Sequence, residues 1–456
     1  MTASRLSRRD LLLTAMLATG GALVGGLAGC GRTDPAPDPT AGSTTPTTTT
    51  GAPVVAAGLV ETLSGTRPRA AGDPAAAQPA LAGFGAAMLR AVVQSDPAAS
   101  TVISPYSLYS VLAMVRAGAD GQTATQLDQL LHLDGEQQGA AMTAVDAGVA
   151  AALDSARQAA PDDPDGVLVE TADQSWLQRG FDVRPAFLDA LASRFGADAV
   201  SADFTADPEA VRAAVNGWVA ERTRDLIPEL FPNGSITDAT RVALVNALYL
   251  KAAWAKPFRA PVDGDFTTAS GEAVTVPVMT SERTVAGVAG SGWRSATIPY
   301  LGAGLAMTLL VPDAGTFDAT LAGLDAATIA AAAAADTTSA AQWTLTMPTF
   351  AIASTPDVQA AAQAGGVTDL FDATTVDLSG IAGAPGDLVV DAFLHQAVIS
   401  VDEHGTEAAA ATGVSIGVTS AAPGEPLVVD RPFLFWIADT TTGAPLFLGT
   451  VTDPRS

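Results

Sequence analysis

The segment from Thr406 to Ser420 constrains the fold of this chain more than any other. It contains no proline, aromatic residue, lysine or arginine, and its small side chains alternate as in a strand that is buried on one face. That face would carry Thr406, Ala408, Ala410, Thr412, Val414 and Ile416. Alanine and glycine are nevertheless poor strand formers, and the turn-forming run Pro423-Gly424-Glu425-Pro426 follows. The pattern predicts a segment that can exist either as an exposed loop or as a strand inserted into a sheet.

Hydrophobic periodicity predicts helices in the first half of the chain and strands in the second. Apolar residues recur at helical spacing from Phe84 to Val93. Further predicted helices lie at about 105–116, 123–131, 136–158, 184–195, 207–226 and 326–335. The clearest predicted strands are 242–250, 274–278, 306–311 and 343–347. Helices followed by strands indicate the α+β class.

Short sequence blocks follow one another at intervals through the chain. They include Ile103-Ser104-Pro105-Tyr106-Ser107-Leu108, Asn216-Gly217-Trp218-Val219, Val245 to Trp254, Ile298-Pro299-Tyr300, Met347-Pro348-Thr349-Phe350, Leu378-Ser379-Gly380-Ile381 and Arg431-Pro432-Phe433-Leu434-Phe435. In this order, over roughly residues 78–454, they resemble the serpins, a family of protease inhibitors. The resemblance implies a serpin domain at 77–456, with helices packed around a large, mostly antiparallel central sheet, further sheets and an exposed reactive-centre loop.

The same resemblance implies that the 406–420 segment is the reactive-centre loop. In serpins a protease cleaves this loop, which then enters the main sheet as a new strand before the acyl-enzyme can deacylate. The implied hinge residues are Glu403, Gly405, Thr406, Glu407, Ala408, Ala409, Ala410, Ala411 and Thr412. The bond attacked would be Thr419–Ser420. Since residues 405–430 contain no lysine, arginine or aromatic residue, we expect an elastase-like or subtilisin-like serine protease as target, with a cysteine protease as the alternative class.

A second set of residues is implied to control opening of the sheet. Ser104, Ser107, Asn246 and His395 would form a buried hydrogen-bonded cluster behind the moving strands, here called the shutter. Trp254 would pack at the top of the sheet where the loop enters, here called the breach. Residue chemistry alone favours a simpler role for His395, that of a core histidine with satisfied hydrogen bonds and no switching function.

One motif suggests an enzyme. Gly413-Val414-Ser415-Ile416-Gly417 matches the G-x-S-x-G sequence of the α/β-hydrolases, in which Ser415 would be the nucleophile. That site requires an acid and a histidine later in the chain, but all three histidines precede Ser415; they are His132, His395 and His404. Scattered histidines and a lone cysteine give no metal-ligand spacing. We therefore expect a protease inhibitor without cofactor or metal. The first alternative is a non-inhibitory serpin-fold binding protein, and the less favoured one is a serine hydrolase that uses Ser415.

The N-terminus resembles an export signal. A twin-arginine-like motif at Ser7-Arg8-Arg9 precedes an apolar stretch, and Leu27-Ala28-Gly29-Cys30 resembles the lipobox of bacterial lipoproteins. These features predict a signal peptide at 1–30, acylation of Cys30, and a disordered Thr/Pro/Ala-rich tether at 31–76. The protein would be exported and anchored by lipid on the extracytoplasmic side of the cell membrane.

The charge of the chain limits its partners. A formal net charge of −25, with only the two lysines Lys251 and Lys256, argues against nucleic acid binding. Cys30 is the only cysteine, so the chain forms no internal disulfide. The expected partners are a target protease and membrane lipid, and the chain is expected to act as a monomer.

Overall fold

The computed structural model describes residues 58–163, 166–333, 341–406 and 425–455 of the 456-residue chain. Several predicted features lie outside these ranges, namely the signal peptide, Cys30, most of the tether, the hinge positions from Glu407 to Thr412, Ser415 and the Thr419–Ser420 bond.

The helices lie mainly in the first half of the chain, as predicted. The bounds are α1 Pro74–Ser95, α2 Pro105–Arg116, α3 Gly121–Leu131, α4 Gly135–Ala159, α5 Pro185–Ala190, α6 Pro208–Arg222, α7 Phe317–Ala322, α8 Ala326–Ala333 and α9 Val358–Ala364. A π turn over Leu191–Phe195 extends α5, and a 3-10 turn covers Asp369–Phe371. Ser104 caps α2, because its Oγ accepts a hydrogen bond from the Ser107 N–H at 3.1 Å and Pro105 occupies the first helical position.

The strands form two sheets. Their bounds are β1 Val60–Leu63, β2 Thr101–Ile103, β3 Val167–Gln178, β4 Ala199–Ala202, β5 Val242–Ala253, β6 Val262–Thr267, β7 Ala273–Thr280, β8 Val285–Gly287, β9 Trp293–Pro299, β10 Leu305–Pro312, β11 Ala341–Pro348, β12 Phe350–Ser354, β13 Val390–Val401, β14 Gly405–Thr406, β15 Glu425–Val428, β16 Phe433–Asp439 and β17 Pro445–Val451.

The central sheet has the strand order β1-β4-β3-β5-β14-β13-β12. The second sheet has the order β2-β17-β16-β10-β9-β8-β11-β7-β6, and β15 pairs with β11. Most pairings are antiparallel; the parallel ones are β3 with β4, β5 with β13, and β11 with β15. This is the α+β arrangement with a large, mostly antiparallel sheet that the sequence predicts.

β5 is buried on both faces of the central sheet. Leu244 and Leu248 pack into the main core on one face, and Ala243 and Ala247 pack into a smaller core on the other. Burial on both sides explains the nearly continuous apolar run of this strand. Asn246 is the one strongly polar side chain on the main-core face, and it is fully buried, so it requires hydrogen-bond partners.

Helices cover the two faces of the central sheet. α1 and α2 belong to the main core, whereas α6 covers the other face, where Trp218 meets Trp176 of β3 with 6.5 Å between ring centroids. α1 is long and apolar enough to cross a membrane by length and composition, but 61% of its most apolar window is buried within the protein. α1 is thus accounted for as a core helix.

The structure corrects the predicted end of the tether. Val60–Leu63, within the range predicted as disordered, pairs antiparallel with β4 as the edge strand β1. α1 then begins at Pro74, three residues before the predicted domain start at 77. Four strand residues in a segment rich in alanine, threonine and glycine are too short a pattern to be recognised, so the pairing with β4 became visible only in the tertiary structure.

β3 and α6 are among the other elements that differ from the sequence analysis. β3 was not predicted, because polar residues such as Glu170 and Asp173 interrupt its apolar pattern. α6 ends at Arg222 rather than near 226, since Arg224 and Asp225 adopt left-handed backbone angles with φ of 51° and 62°.

Candidate functional site: the hinge and the shutter

The first part of the candidate site is a gap between two parallel strands. β5 and β13 pair directly from Val242 with Val390 up to Leu248 with Ala397. Beyond this point β14 lies between them: Thr406 pairs with Ala252 of β5 and with Val401 of β13. The hinge residues Gly405 and Thr406 therefore already occupy the breach end of the space between these strands.

A tight turn leads into β14. The Asp402 carboxylate accepts hydrogen bonds from the N–H groups of His404, at 2.8 Å, and of Gly405, at 3.1 Å. The Asp402 N–H donates to the Gly405 carbonyl at 2.9 Å. A Cβ atom on Gly405 would lie 2.2 Å from the carbonyl oxygen of Ala252. Glycine is required here by this close approach to β5, since the described residues with positive φ do not include Gly405.

Two aromatic residues, Trp254 and Tyr300, form hydrogen bonds with the hinge segment. The Trp254 indole N–H donates to the Asp402 carbonyl at 2.8 Å, and its ring stacks on Tyr300 with 4.5 Å between centroids. The Tyr300 hydroxyl lies 2.7 Å from Oγ1 of Thr406, whose residue is only 1% exposed. Burial raises the pKa of Tyr300, so its hydroxyl stays neutral. The structure places Trp254 beside the turn that leads into β14. The sequence analysis missed the contact of Tyr300 with Thr406, although Tyr300 belongs to one of the recognised sequence blocks.

The second part of the site is the shutter. His395 of β13 and Asn246 of β5 are paired across the two parallel strands. The Ser104 N–H donates to His395 Nε2 at 3.1 Å, so the ring proton resides on Nδ1 and is donated to the Asn246 side-chain oxygen. Burial lowers the pKa of His395 to about 3, which keeps the imidazole neutral. A direct hydrogen bond thus joins the two strands between which a new strand would have to enter.

The shutter network continues to a carboxyl group that the sequence analysis missed. The Asn246 amide donates to Ser107 Oγ at 2.7 Å and to Asp173 Oδ1 at 3.0 Å. The Ser107 hydroxyl also donates to Asp173 Oδ1, and the Ser107 N–H is bound by Ser104 Oγ. All four predicted shutter residues are therefore brought together, with Asp173 of β3 as the last acceptor.

The geometry also bears on a hydrolase site. Both ring nitrogens of His395 are engaged in the shutter, and the residue is fully buried. His404 lies on the surface, with its Nε2 3.6 Å from the Glu403 carboxylate. Within residues 58–163, 166–333, 341–406 and 425–455, no three His, Cys, Asp or Glu side chains converge on a metal-sized site. Ser415 lies outside the described residues, and His395 has no ring nitrogen free to act as the base of a catalytic triad.

Sequence comparisons match this chain to the serpins. Residues 79–454 match the model of the family described as serpin, serine protease inhibitor. Bovine leukocyte elastase inhibitor is 31% identical over 380 residues, covering 81% of this chain and 97% of that protein. Rice Serpin-Z2A is 32% identical, covering 78% of this chain and 92% of that protein.

Solved structures agree with the sequence comparisons. The structure of native protease nexin-1 with heparin covers 84% of this chain and all of that chain, with 25% identity and a TM-score of 0.71. An Arabidopsis serpin in its native stressed conformation covers 85% of this chain and all of that chain, with 26% identity and a TM-score of 0.71. The fold described above is the one these proteins share.

Proposed function

The chain belongs to the serpin family, and we propose that it inhibits serine proteases as a suicide substrate, by inserting its cleaved reactive-centre loop between β5 and β13. The observation that carries the proposal is the position of β14, whose two residues pair with both strands at the breach end of that space. The rest of the loop has only to continue a strand that has already begun.

Extending the register of β14 tests whether the loop sequence fits. Thr406 pairs with Ala252 and Val401, so residues further along the loop would pair with residues equally far back along β5 and β13. By this count Ile416 would align with Val242, the first residue of β5, and with Asp391 near the start of β13. A loop inserted as far as 416 would therefore fill the length of both strands.

The same register explains where polar residues occur on the core-facing side of the loop. Ala408, Ala410, Val414 and Ile416 would align on β5 with Leu250, Leu248, Leu244 and Val242. Thr412, the only polar residue among these positions after Thr406, would align with Asn246 on one side and His395 on the other. Its hydroxyl group both donates and accepts, so it can satisfy the two shutter groups whose mutual hydrogen bond the entering strand breaks.

The proposed reaction follows from this movement. The protease's catalytic serine attacks the carbonyl carbon of Thr419, the bond to Ser420 breaks, and the new amino group of Ser420 takes up the proton from that serine. The protease is then held as an ester at Thr419. Ten residues of inserted strand span about 34 Å, so insertion carries the attached enzyme towards the far end of the sheet. Inhibition requires that insertion of the loop be faster than hydrolysis of the ester.

The proposal includes the cellular location of the inhibitor. Acylation of Cys30 would hold the domain outside the cell on the segment between Cys30 and β1. A monomer suffices for this mechanism, because the loop and the receiving strands belong to one chain. Its targets would be proteases met at the cell surface.

Complex formation with a protease is the first test. We expect the full-length protein to form a covalent complex with a small-pocket protease, elastase or subtilisin, that survives boiling in detergent, and to form far less with trypsin or chymotrypsin. The same protease with its catalytic serine changed to alanine is the control and should form no complex. Clean cleavage without complex across this panel would instead indicate a non-inhibitory member of the family.

The cleavage position is a separate prediction. Mass spectrometry of the C-terminal peptide released on denaturation should show that it begins at Ser420 or within about two residues of it, because small residues surround this bond. A cut before residue 414 would leave too few residues to fill β5 and would contradict the proposed register.

A further inference from the structure

The last acceptor in the hydrogen-bond network of the shutter is an ionisable group, the carboxyl group of Asp173. It lies on β3 directly opposite Asn246 of β5 in the strand register. A single carboxyl oxygen, Oδ1, accepts hydrogen bonds from both Asn246 and Ser107. The hydrogen bonds that lead from Ser104 to Asp173 all run in one direction. Ser104 donates to His395, His395 donates to Asn246, and Asn246 donates to Ser107 and to Asp173. Asp173 therefore decides whether the network ends in a neutral acid or in a negative charge.

The charged groups around Asp173 do not neutralise it. From α4 it faces another carboxyl group, Asp146, which is bound by the Tyr106 hydroxyl of α2. Arg69 pairs with Asp146 rather than with Asp173. β5 contributes the neutral Asn246, and β13 contributes the neutral His395. α6 packs on the opposite face of β3, through Trp176, and β4 carries no charged residue.

This environment favours the protonated form. Desolvation raises the pKa of Asp173 well above that of an ordinary aspartic acid; the Ser107 hydrogen bond opposes the rise and the charge of Asp146 adds to it. Part of the residue remains accessible to solvent, so it can exchange protons with water. The ionised form becomes favourable when water gains further access, and separation of β5 from β13 would give water a route to Asp173 through Asn246, which is hydrogen-bonded to both Asp173 and His395.

We propose that Asp173 is a proton-operated brake on opening of the central sheet: the protonated carboxyl holds the shutter closed, and its ionisation promotes opening. The inference rests on the proposed insertion of the loop. Because the group is stabilised as a neutral acid in the closed state, the stability it gives is complete below the ordinary carboxyl range and is lost as pH rises through the raised pKa. Opening should therefore become faster as pH rises.

His395 responds in the opposite sense. Its pKa is lowered to about 3 in the closed sheet, whereas a solvated histidine titrates near 6.5. Water entering an opened shutter would allow the ring to take up a proton, so opening gains from His395 as pH falls below 6.5. The effect of Asp173 must therefore be read as a ratio between two proteins that share His395.

The experiment measures how fast a loop peptide anneals into the sheet. Full-length protein and the Asp173→Asn variant are incubated with a synthetic peptide of residues 406–417 at pH values between about 5 and 8. Asparagine keeps the acceptor oxygen and the shape of Asp173 but cannot ionise. We expect the ratio of the wild-type rate to the variant rate to rise at least about tenfold across this range, which corresponds to a pKa difference of one unit between closed and open sheets.

A second variant locates the origin of the effect. Asp146→Asn removes the neighbouring carboxyl group, whose own pKa burial raises against the opposing effects of Tyr106 and Arg69, and keeps the hydrogen bonds of Asp173. The midpoint of the pH dependence should move to lower pH, since the charge of Asp146 adds to the rise in the pKa of Asp173. The comparison of wild type with Asp146→Asn can be made even if Asp173→Asn fails to fold. If the midpoint of the pH dependence is the same in these two proteins, the proposal is contradicted. Equal pH dependence in wild type and Asp173→Asn would overturn the role of Asp173 and leave the inhibitor proposal standing. No annealing at any pH would contradict loop insertion itself, and the brake with it.

Discussion

Thr406→Arg is expected to convert the inhibitor into a substrate that the protease cleaves and releases. Thr406 is 1% exposed, lies between β5 and β13, and contacts the Tyr300 hydroxyl. A guanidinium group in this position would be buried without a partner, at a cost of several kcal/mol, so residue 406 should lie outside the sheet in the intact variant and the cost should fall on its entry during insertion. Each 1.4 kcal/mol slows a step about tenfold, so insertion should slow at least about 100-fold, and deacylation should win. Titration of protease activity against inhibitor, with the complex quantified on denaturing gels, measures the change.

Two matched variants distinguish buried charge from general damage. Glu407→Arg introduces the same group one residue later, on the other face of the strand, where β5 ends in the half-buried Lys251 and Ala253, and should retain more of the complex than Thr406→Arg. Thr406→Val keeps the shape of threonine but leaves the buried Tyr300 hydroxyl without this partner, at a cost of about 1–3 kcal/mol, and should reduce the yield of complex much less than Thr406→Arg. If Thr406→Arg forms as much complex as wild type, the hinge does not enter the sheet through β14.

Cleavage of the reactive-centre loop is expected to raise thermal stability instead of lowering it. About ten residues would join β5 and β13, each able to make ladder hydrogen bonds worth roughly 1 kcal/mol net. The gain is on the order of 10 kcal/mol, which corresponds to a rise in the unfolding midpoint of roughly 20 °C. Calorimetry of protein nicked in the loop, compared with intact protein at the same heating rate, measures it, since unfolding at this size need not be reversible.

The nicked Thr406→Arg protein is the control for this measurement. It carries the same broken bond but should not insert its loop, so its midpoint should stay close to that of the intact variant. A nicked wild-type protein that melts at or below the intact protein would show that the loop stays outside the sheet. That result would leave a serpin-fold protein without the stored free energy that inhibition requires.

Much of the fold could be predicted because the relevant signals are local. The periodicity of α2 and α4, the apolar run of β5 and the Ser104 cap are each set by neighbouring residues. β3 and β1 could not be predicted in this way. β3 carries polar residues that are satisfied by other elements, and β1 is a strand only because β4 offers it an edge.

In the candidate site too, some residues were identified from the sequence and others only from the structure. The resemblance identified Ser104, Ser107, Asn246 and His395, but not Asp173, whose significance depends on its position opposite Asn246 on a strand that the pattern did not predict. Tyr300 likewise became part of the hinge only through its contact with Thr406. A hydrogen bond between residues 106 positions apart leaves no periodic trace in the sequence.

The sequence by itself determined the alternation of small residues after Gly405, and therefore which side chains a newly formed strand can bury, because side-chain direction in a strand follows from residue parity alone. Only the tertiary structure decided where that strand begins and what it must displace. β14 begins between β5 and β13, and a loop that extended it as proposed would displace the hydrogen bond between His395 and Asn246. The reason is physical: burial and strand pairing arise from the meeting of distant segments, and the free energy they contribute belongs to neither segment alone.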